Sequence, residues 1–210
     1  MVLHTDTDAS CLSLPEARSK TAAVHYLSDR PEKHHQPPIK SPTKNRPIHV
    51  ISRGIKNVVS SAAEAEIVGI FEGCQEGIPL RATLEELNHP QPTTPLKTDN
   101  STAEGIINNN MKRRKTRSLD MRYHWIRDKV QQGQFNVYWK SGLLNLADYF
   151  TKRHNEAHHI QMRKKHLHET KLDMNFRRMK TSSPRLKEKQ SKTIKLTNKK
   201  NLFSRRGCDN

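Results

Sequence analysis

The sequence Thr5-Asp6-Thr7-Asp8-Ala9-Ser10 lies inside a run, residues 2–11, that opens with the apolar pair Val2-Leu3. Its apolar and β-branched residues predict a strand that ends near Asp8. A carboxylate at a strand end is well placed to meet side chains from other elements. Three more acidic residues follow at the edges of predicted strands or helices: Glu66, Asp99 and Asp148.

Each later carboxylate stands in a short, distinctive sequence. Glu66 is the second glutamate of Ala63-Glu64-Ala65-Glu66, and Asp99 belongs to Thr98-Asp99-Asn100-Ser101. Asp148 lies in Asn145-Leu146-Ala147-Asp148-Tyr149-Phe150-Thr151-Lys152. A single acidic residue near a helix start often only complements the helix dipole. Four acidic residues in this order favour a shared site, since clustered carboxylates can bind two divalent ions for phosphodiester cleavage.

The periodicity of apolar residues predicts the secondary structure. Strands are predicted at residues 2–11, 22–27, 48–52, 94–98 and 135–139. The first three follow one another without a helix, as in an antiparallel meander. A capping box of Ser61 and Glu64 predicts a helix that Gly77 and Pro79 interrupt, and residues 101–104 repeat the capping-box pattern. A third helix spans residues 119–130 up to Gly133, and Asn145 is predicted to cap the last helix.

These carboxylate motifs, in this order, resemble those of the ribonuclease H domain of copia-type long-terminal-repeat retrotransposon polyproteins, of which the chain would be a C-terminal fragment. The resemblance covers roughly residues 1–152. It implies an α/β fold with a five-stranded mixed sheet and helices on both faces. The upstream reverse transcriptase domain of such a polyprotein is then an expected partner.

The resemblance also implies an activity. The expected enzyme is a ribonuclease H that cleaves the RNA strand of RNA/DNA hybrids during reverse transcription. It would use two Mg²⁺ ions, for which Mn²⁺ can substitute, held by Asp8, Glu66, Asp99 and Asp148. Asp6 is the rival to Asp8 on the same strand face. Cellular ribonucleases H typically carry a histidine in the loop before the last carboxylate, whereas this chain has Lys140-Ser141-Gly142 followed by two leucines.

The net charge of +17 is concentrated in two segments. Residues 111–129 contain 8 basic and 2 acidic residues, and residues 153–210 contain 17 basic and 5 acidic residues. This distribution is typical of a polyanion-binding protein. The residues expected to contact the sugar-phosphate backbone of the hybrid are Lys112, Arg113, Arg114, Lys115, Arg117 and Arg122. A nuclear localisation signal fits the same composition.

Composition divides the chain into segments. Residues 1–152 are expected to form the domain, with a Pro-rich loop at 28–47, followed by a His-rich basic extension at 153–170 and a disordered basic tail at 171–210. The extension contains five histidines, but their irregular spacing and the absence of an accompanying cysteine disfavour a zinc site. The sequence offers no long apolar run, so no membrane partner is expected, and a cytoplasmic location, with the nucleus as an alternative, is predicted.

Two other functions compete with the enzyme. One is a non-catalytic nucleic-acid-binding remnant of a retrotransposon polyprotein. The other is an integrase or transposase of the same broad fold, but the order of acidic residues disfavours it, because those enzymes place the glutamate last.

Overall fold

The computed structural model describes residues 1–29, 46–108, 117–142 and 145–167, with the main chain alone for residues 117–120. Its strands are β1 (Val2–Leu14), β2 (Arg18–Ser28), β3 (Pro47–Gly54), β4 (Thr94–Thr98) and β5 (Phe135–Trp139). Its α-helices are α1 (Ala62–Glu86), α2 (Ser101–Ile107), α3 (Arg117–Gln131), α4 (Asp148–Thr151) and α5 (Glu156–His166). Most of the Pro-rich loop, residues 112–115 of the basic segment and the tail from residue 168 lie outside the described residues.

The five strands form one mixed sheet in the order β3-β2-β1-β4-β5. β1, β2 and β3 pair antiparallel, as the predicted meander requires, and β4 and β5 run parallel to β1. β1 does not end near Asp8 as predicted but continues to Leu14, whereas β4 ends at Thr98. In their parallel pairing Asp6 lies opposite Lys97, so Asp8 comes level with the residue that follows β4. The sheet therefore brings Asp8 near the end of β4, where Asp99 follows.

Helices cover both faces of the sheet, which confirms the predicted fold. On one face α1 packs mainly over β1 and β2, and α2 and α3 pack over β4 and β5. These three helices and the sheet share one apolar cluster: Ile67, Ile70, Cys74, Leu96, Ala103, Ile107, Ile126, Phe135 and Val137. On the other face α4 and the residues before it cover Ala22, Val24 and Tyr26 of β2. Burial of these side chains supplies the main driving force for folding.

Helix α1 approaches the sheet through glycines spaced one helical turn apart. A Cβ atom at Gly69 would lie 2.8 Å from Thr21 Oγ1, and one at Gly73 would lie 2.8 Å from Thr7 Cγ2. Both distances are shorter than van der Waals contact, so side chains there would push the helix away. Glu66 precedes Gly69 by three residues. The close approach of the helix holds Glu66 against Ala9 of β1.

The prediction that Gly77 and Pro79 interrupt this helix is wrong. α1 runs through both residues as a single helix. Gly77 packs closely, since a Cβ there would be 3.1 Å from the Phe135 ring. Downstream, Arg81 donates hydrogen bonds to the carbonyls of Gln91 and Pro92. Tertiary contacts on both sides of Pro79 therefore outweigh the loss of one helical hydrogen bond.

The helix caps also differ from the sequence predictions. The Ser61 hydroxyl oxygen caps α1 by accepting from the Glu64 N–H, as predicted. The Glu64 carboxylate accepts from the main-chain N–H and the hydroxyl of Ser60, whereas a capping box would place it on the N–H of Ser61. Asn100, one residue before the predicted cap, caps α2 by accepting from two main-chain N–H groups. Asn145 lies three residues before α4, and its side chain donates to the Thr7 carbonyl, so it ties the helix approach to β1.

Helix α5 was not predicted, because its sequence is dominated by His, Lys and Arg. Asn155 caps it, and Met162 is buried on its inner side. The compact unit that contains the sheet runs over Met1–Leu167 and so includes this helix.

The proposed division of the chain at residues 152 and 170 stays a prediction. Among the described residues, none of the helices is long and apolar enough to cross a membrane.

Candidate metal centre

Three of the four predicted carboxylates come together where β4 ends beside the middle of β1. One carboxylate oxygen each from Asp8, Asp99 and Asp148 lies within 4.8 Å of the other two. Asp8 is in β1, Asp99 directly follows β4, and Asp148 is the first residue of α4. Residues far apart in the sequence thus form one cluster of hard oxygen ligands.

Asp8 is the buried member of the cluster. It is 1% exposed, and its Oδ2 accepts a hydrogen bond from the Thr151 hydroxyl. Burial raises the pKa of Asp8 to about 6, and the neighbouring charges of Asp99 and Asp148 add to the effect of burial. The Thr151 hydroxyl and the Lys152 ammonium oppose this rise. The carboxylate therefore carries negative charge that its protein neighbours only partly compensate.

Glu66 lies beside the cluster and is held by two hydrogen bonds. Its Oε1 accepts from the Ala9 N–H at 2.8 Å, and its Oε2 accepts from the Thr98 hydroxyl at 3.2 Å. These bonds connect α1 to the middle of β1 and to the last residue of β4. Burial raises the pKa of Glu66 to about 8, and the charges of Asp8 and Asp99 reinforce the shift. Each oxygen keeps a second lone pair, so these bonds do not prevent metal ligation.

Asp99 is fixed by the loop after β5. A Cβ atom at Gly142 would lie 2.7 Å from Asp99 Oδ2, so only glycine lets this loop pass so close to the carboxylate. Burial raises the pKa of Asp99, with Asp148 adding to the rise and Lys152 opposing it.

Asp148 forms an ion pair with Lys152, one turn later on the chain. Burial alone would lower the pKa of Lys152, but the hydrogen bond to Asp148 and the charges of Asp8 and Asp99 raise it overall. Lys152 is thus the cation that balances part of the cluster's charge. Neither Thr151 nor Lys152 was assigned a role from the sequence, although both belong to the motif around Asp148.

Asp6, the rival on the same strand face, has a different environment. Its carboxylate pairs with Lys97 at 2.6 Å, and both side chains are buried, 1% and 6% exposed. It also accepts hydrogen bonds from the Tyr26 hydroxyl and the Leu146 N–H. Asp6 therefore joins β1, β2, β4 and the approach to α4, and the structure does not bring it into the cluster.

The predicted nucleic-acid-binding residues are only partly described. Lys112, Arg113, Arg114 and Lys115 lie outside the described residues, and Arg117 is the first residue of α3. The guanidinium of Arg122 lies 5.6 Å from the centre of the Phe71 ring. A cation–π contact of this kind holds the head group near the helix surface.

Four of the histidines after α4 pack around Tyr149: His154, His158, His159 and His166. The rings of His154 and His158 stack with 4.2 Å between centroids, and the Tyr149 hydroxyl bonds His159 Nδ1 at 2.7 Å. Within the part of the chain that the structure describes, the only group of three or more metal-ligating side chains is the aspartate cluster. The absence of a zinc site among the histidines of residues 153–170 stays a prediction.

In amino-acid sequence, part of this chain is similar to a transposon polyprotein. The chain is 35% identical over 97 residues to the retrovirus-related Pol polyprotein from transposon TNT 1-94 of Nicotiana tabacum. The matched segment is 46% of this chain and 7% of that polyprotein. No family model matches the chain.

In three-dimensional fold, this chain is similar to two solved ribonuclease H structures. The N-terminal RNase H domain of rv2228c from Mycobacterium tuberculosis superimposes with a TM-score of 0.50 at 16% identity, over 71% of this chain and 89% of that one. LC11-RNase H1, solved in complex with an RNA/DNA hybrid, superimposes with a TM-score of 0.51 at 12% identity, over 70% of this chain and 92% of that one. With its five-stranded mixed sheet and helices on both faces, the chain has the ribonuclease H fold.

Proposed function

We propose that this protein is a metal-dependent ribonuclease H that cleaves the RNA strand of RNA/DNA hybrids. The observation that carries the proposal is the meeting of Asp8, Asp99 and Asp148 within 4.8 Å, beside Glu66, in a chain with the ribonuclease H fold. The likeness to a transposon Pol polyprotein supports an origin in a copia-type element, with reverse transcription as the setting and the polymerase domain as the partner.

The residues present fit Mg²⁺. Carboxylate oxygens are the ligands that Mg²⁺ prefers, and the cluster contains neither the sulfur nor the imidazole donors that softer metals select. Burial, with a smaller contribution from neighbouring carboxylates, raises the pKa values of Asp8 and Glu66, and a divalent cation would stabilise their charged forms. Asp8, Asp99 and Asp148 would hold the metal, with Glu66 as a further ligand. When bound, the metal lowers the pKa of a water and neutralises charge on the phosphate.

The chain's own side chains orient the cluster. Thr151 holds the Asp8 carboxylate by a hydrogen bond, and Gly142 lets the loop after β5 cover Asp99. Lys152 stabilises Asp148 and supplies positive charge where a phosphate would approach. Because burial excludes water around Asp8, its hydrogen bond with Thr151 is stronger than it would be on the surface.

Affinity for the hybrid is assigned to the basic residues. Lys112, Arg113, Arg114, Lys115, Arg117 and Arg122 would contact phosphates, which position a ligand without selecting its sequence. Contacts with 2′-hydroxyl groups and the shape of the groove would distinguish RNA from DNA. The cytoplasm is the proposed location, with nuclear import as the alternative role for the same basic segment.

Incubation of the purified protein with labelled RNA/DNA hybrid, with and without Mg²⁺, tests the proposal. We expect metal-dependent cleavage of the RNA strand that leaves 5′-phosphate and 3′-hydroxyl ends. Asp99→Asn should lower the rate by about 100-fold or more, because it removes a charged ligand from the metal that would stabilise the transition state. Circular dichroism and hybrid binding should stay unchanged in this variant.

The negative outcome is equally specific. A folded protein that binds hybrid but leaves it intact in both Mg²⁺ and Mn²⁺ would contradict the enzyme. Such a result would favour the non-catalytic nucleic-acid-binding remnant.

A further inference from the structure

Trp139, the last residue of β5, is a large aromatic side chain that stays half in solvent beside the aspartate cluster. It is 51% exposed, and its indole Nε1–H donates a hydrogen bond of 3.0 Å to the main-chain oxygen of Asp99. In the parallel pairing of β4 and β5, Trp139 lies opposite Thr98, one residue before Asp99. The ring is therefore attached to the same residue that contributes a carboxylate to the cluster.

The environment of Trp139 differs from that of the other aromatic residues nearby. Phe135 lies on the same face of β5 and is 1% exposed, and Tyr138 is 5% exposed. Trp125 packs edge-on against Phe71 at the border of the apolar core. Trp139 takes part in none of the apolar clusters among the described residues. Its polar edge is bound to the main chain, so the ring is held in one orientation while much of its surface stays accessible.

We propose that Trp139 is a stacking platform for a nucleotide that flanks the phosphate at the cluster. The inference rests on the proposed function, because the cluster is what defines the position of the phosphate. Successive nucleotides of one strand are about 3.4 Å apart along the helix axis, so the neighbour of a phosphate at Asp99 comes within reach of this ring. Aromatic side chains stack on bases that have left the paired helix and pack against sugars within it, and both contacts tolerate any base.

A platform here would complement the charged contacts. Phosphate contacts from Lys and Arg weaken steeply with salt, whereas stacking against an indole depends on apolar contact and dispersion. Held by the Asp99 carbonyl, the ring loses little conformational freedom when a nucleotide binds. Trp139 would thus fix the register of the strand relative to the carboxylates.

Two substitutions separate this role from a structural one. Trp139→Ala removes the ring and the N–H donor, whereas Trp139→Phe removes only the donor. We expect the alanine variant to bind RNA/DNA hybrid about 5- to 150-fold more weakly, the range for loss of one stacked base, and the phenylalanine variant to keep most of the affinity. If both variants lose affinity equally, the N–H contact to Asp99 is what matters, and the platform is wrong.

Fluorescence provides a direct measurement, because the chain has two tryptophans, Trp125 and Trp139. In the full-length chain with Asp99→Asn, which keeps the hybrid intact, Trp125→Phe leaves Trp139 as the only emitter. Hybrid should then quench its emission with the same Kd that anisotropy of a labelled hybrid reports. The matched control is Trp139→Phe in the same background, where Trp125 emission should not respond.

The outcomes distinguish the platform from the proposed function. Hybrid that binds by anisotropy without changing Trp139 emission, and with equal affinity for the alanine variant, overturns the platform and leaves the function standing. A folded wild-type protein that binds no hybrid overturns both. Moving an abasic nucleotide along the RNA strand would show whether the ring contacts a base, in which case one position alone loses affinity.

Discussion

Two aspartates on one strand face show how local partners decide the role of a residue. Asp6 and Asp8 are separated by a single residue in β1, and both are 1% exposed. Asp6 meets Lys97, Tyr26 and Leu146, which satisfy its charge and its hydrogen bonds. Asp8 meets the carboxylates of Asp99 and Asp148, together with one hydroxyl. The contacts of Asp6 stabilise the fold. The contacts of Asp8 leave negative charge that a cation could neutralise.

The buried pair predicts a stability effect for Asp6→Asn. Since the change removes the charge that pairs with buried Lys97, we expect a loss of about 3–5 kcal/mol in the free energy of unfolding, measured by urea denaturation. Cleavage should persist at temperatures where the variant is folded. Asp99→Asn provides the opposite control, with cleavage lost and stability retained. Equal loss of cleavage in folded Asp6→Asn and Asp8→Asn would make Asp6 a member of the site.

Glu66 predicts a pH dependence of stability in the metal-free protein. Its pKa is about 8 when folded and near 4.5 when unfolded, so the folded state binds the proton more tightly. The stabilisation is complete below about pH 4.5 and is lost as pH rises towards 8, because unfolding then releases a proton. Each pKa unit corresponds to about 1.4 kcal/mol, so the effect amounts to several kcal/mol.

Glu66→Gln should remove this dependence. The amide keeps the oxygen that accepts from the Ala9 N–H, and it carries no charge at any pH. We expect the variant to be more stable than wild type near pH 8 and similar near pH 4.5, as measured by urea denaturation in EDTA. Mg²⁺ should raise the stability of the wild type more at the higher pH. Parallel pH profiles for the two proteins would refute the assignment.

At the scale of elements, patterns of apolar residues predicted most of the strands and helices. The residues that usually break a helix, Gly77 and Pro79, led to a wrong prediction, because α1 continues through both. Thr94–Thr98 and Phe135–Trp139 are strands as expected. Pro79 was read as a break because its effect on an isolated helix is large. In the folded chain, contacts of Gly73 and Gly77 with the sheet keep the helix continuous. Such contacts join distant residues, so local sequence rules could not anticipate them.

The glycine contacts of α1 predict a specific coupling with the sheet. Gly73→Ala places a methyl group 2.8 Å from Thr7 Cγ2. Overpacking of this kind costs about 1–3 kcal/mol, which exceeds the gain in helix propensity of up to about 1 kcal/mol. We expect lower stability and also slower cleavage, because Glu66 lies two turns earlier on the same helix.

Thr7→Ser tests the mechanism, since serine lacks the clashing methyl and keeps the hydroxyl that donates to the Lys97 carbonyl. In a double-mutant cycle, Gly73→Ala should cost less in the Thr7→Ser background, with a coupling of about 1 kcal/mol or more. Additive effects would show that the helix moves for another reason.

At the scale of the whole molecule, the sequence predicted which carboxylates lie close together better than it predicted the residues that support them. Their motifs are local and can be recognised in the chain. The contacts of Thr151 with Asp8 and of Gly142 with Asp99 depend on strand order and on the position of α4. Trp139 was expected on a half-exposed strand, but its bond to Asp99 follows from the parallel pairing of β4 and β5. These relations appear only once the sheet is assembled.

We expect the two parts of the chain to contribute to different properties. Residues 1–167 should determine the stability of the fold, and residues 168–210 should add affinity for nucleic acid. The unit Met1–Leu167 contains the sheet, the apolar clusters and the aspartate cluster. Residues 168–210 contain 13 basic and 4 acidic residues with few large apolar side chains. Such a composition buries little apolar area, and its positive charge favours binding to nucleic acid. Deleting residues 168–210 should therefore leave the melting temperature within about 2 °C of the full chain.

The same deletion should weaken binding to hybrid and flatten its salt dependence. Each lost phosphate contact lowers the slope of log affinity against log salt by roughly 0.7–0.9, so the number of contacts made by the tail can be read from the change. Neutralising Lys112, Arg113, Arg114, Lys115 and Arg117 in the shortened chain should then reduce the remaining slope, with little change in sequence preference. A large fall in melting temperature on deletion would instead mean that the tail packs on the fold. A slope unaffected by both changes would remove the basic segments from the binding surface and leave nuclear import as the better explanation of residues 112–117.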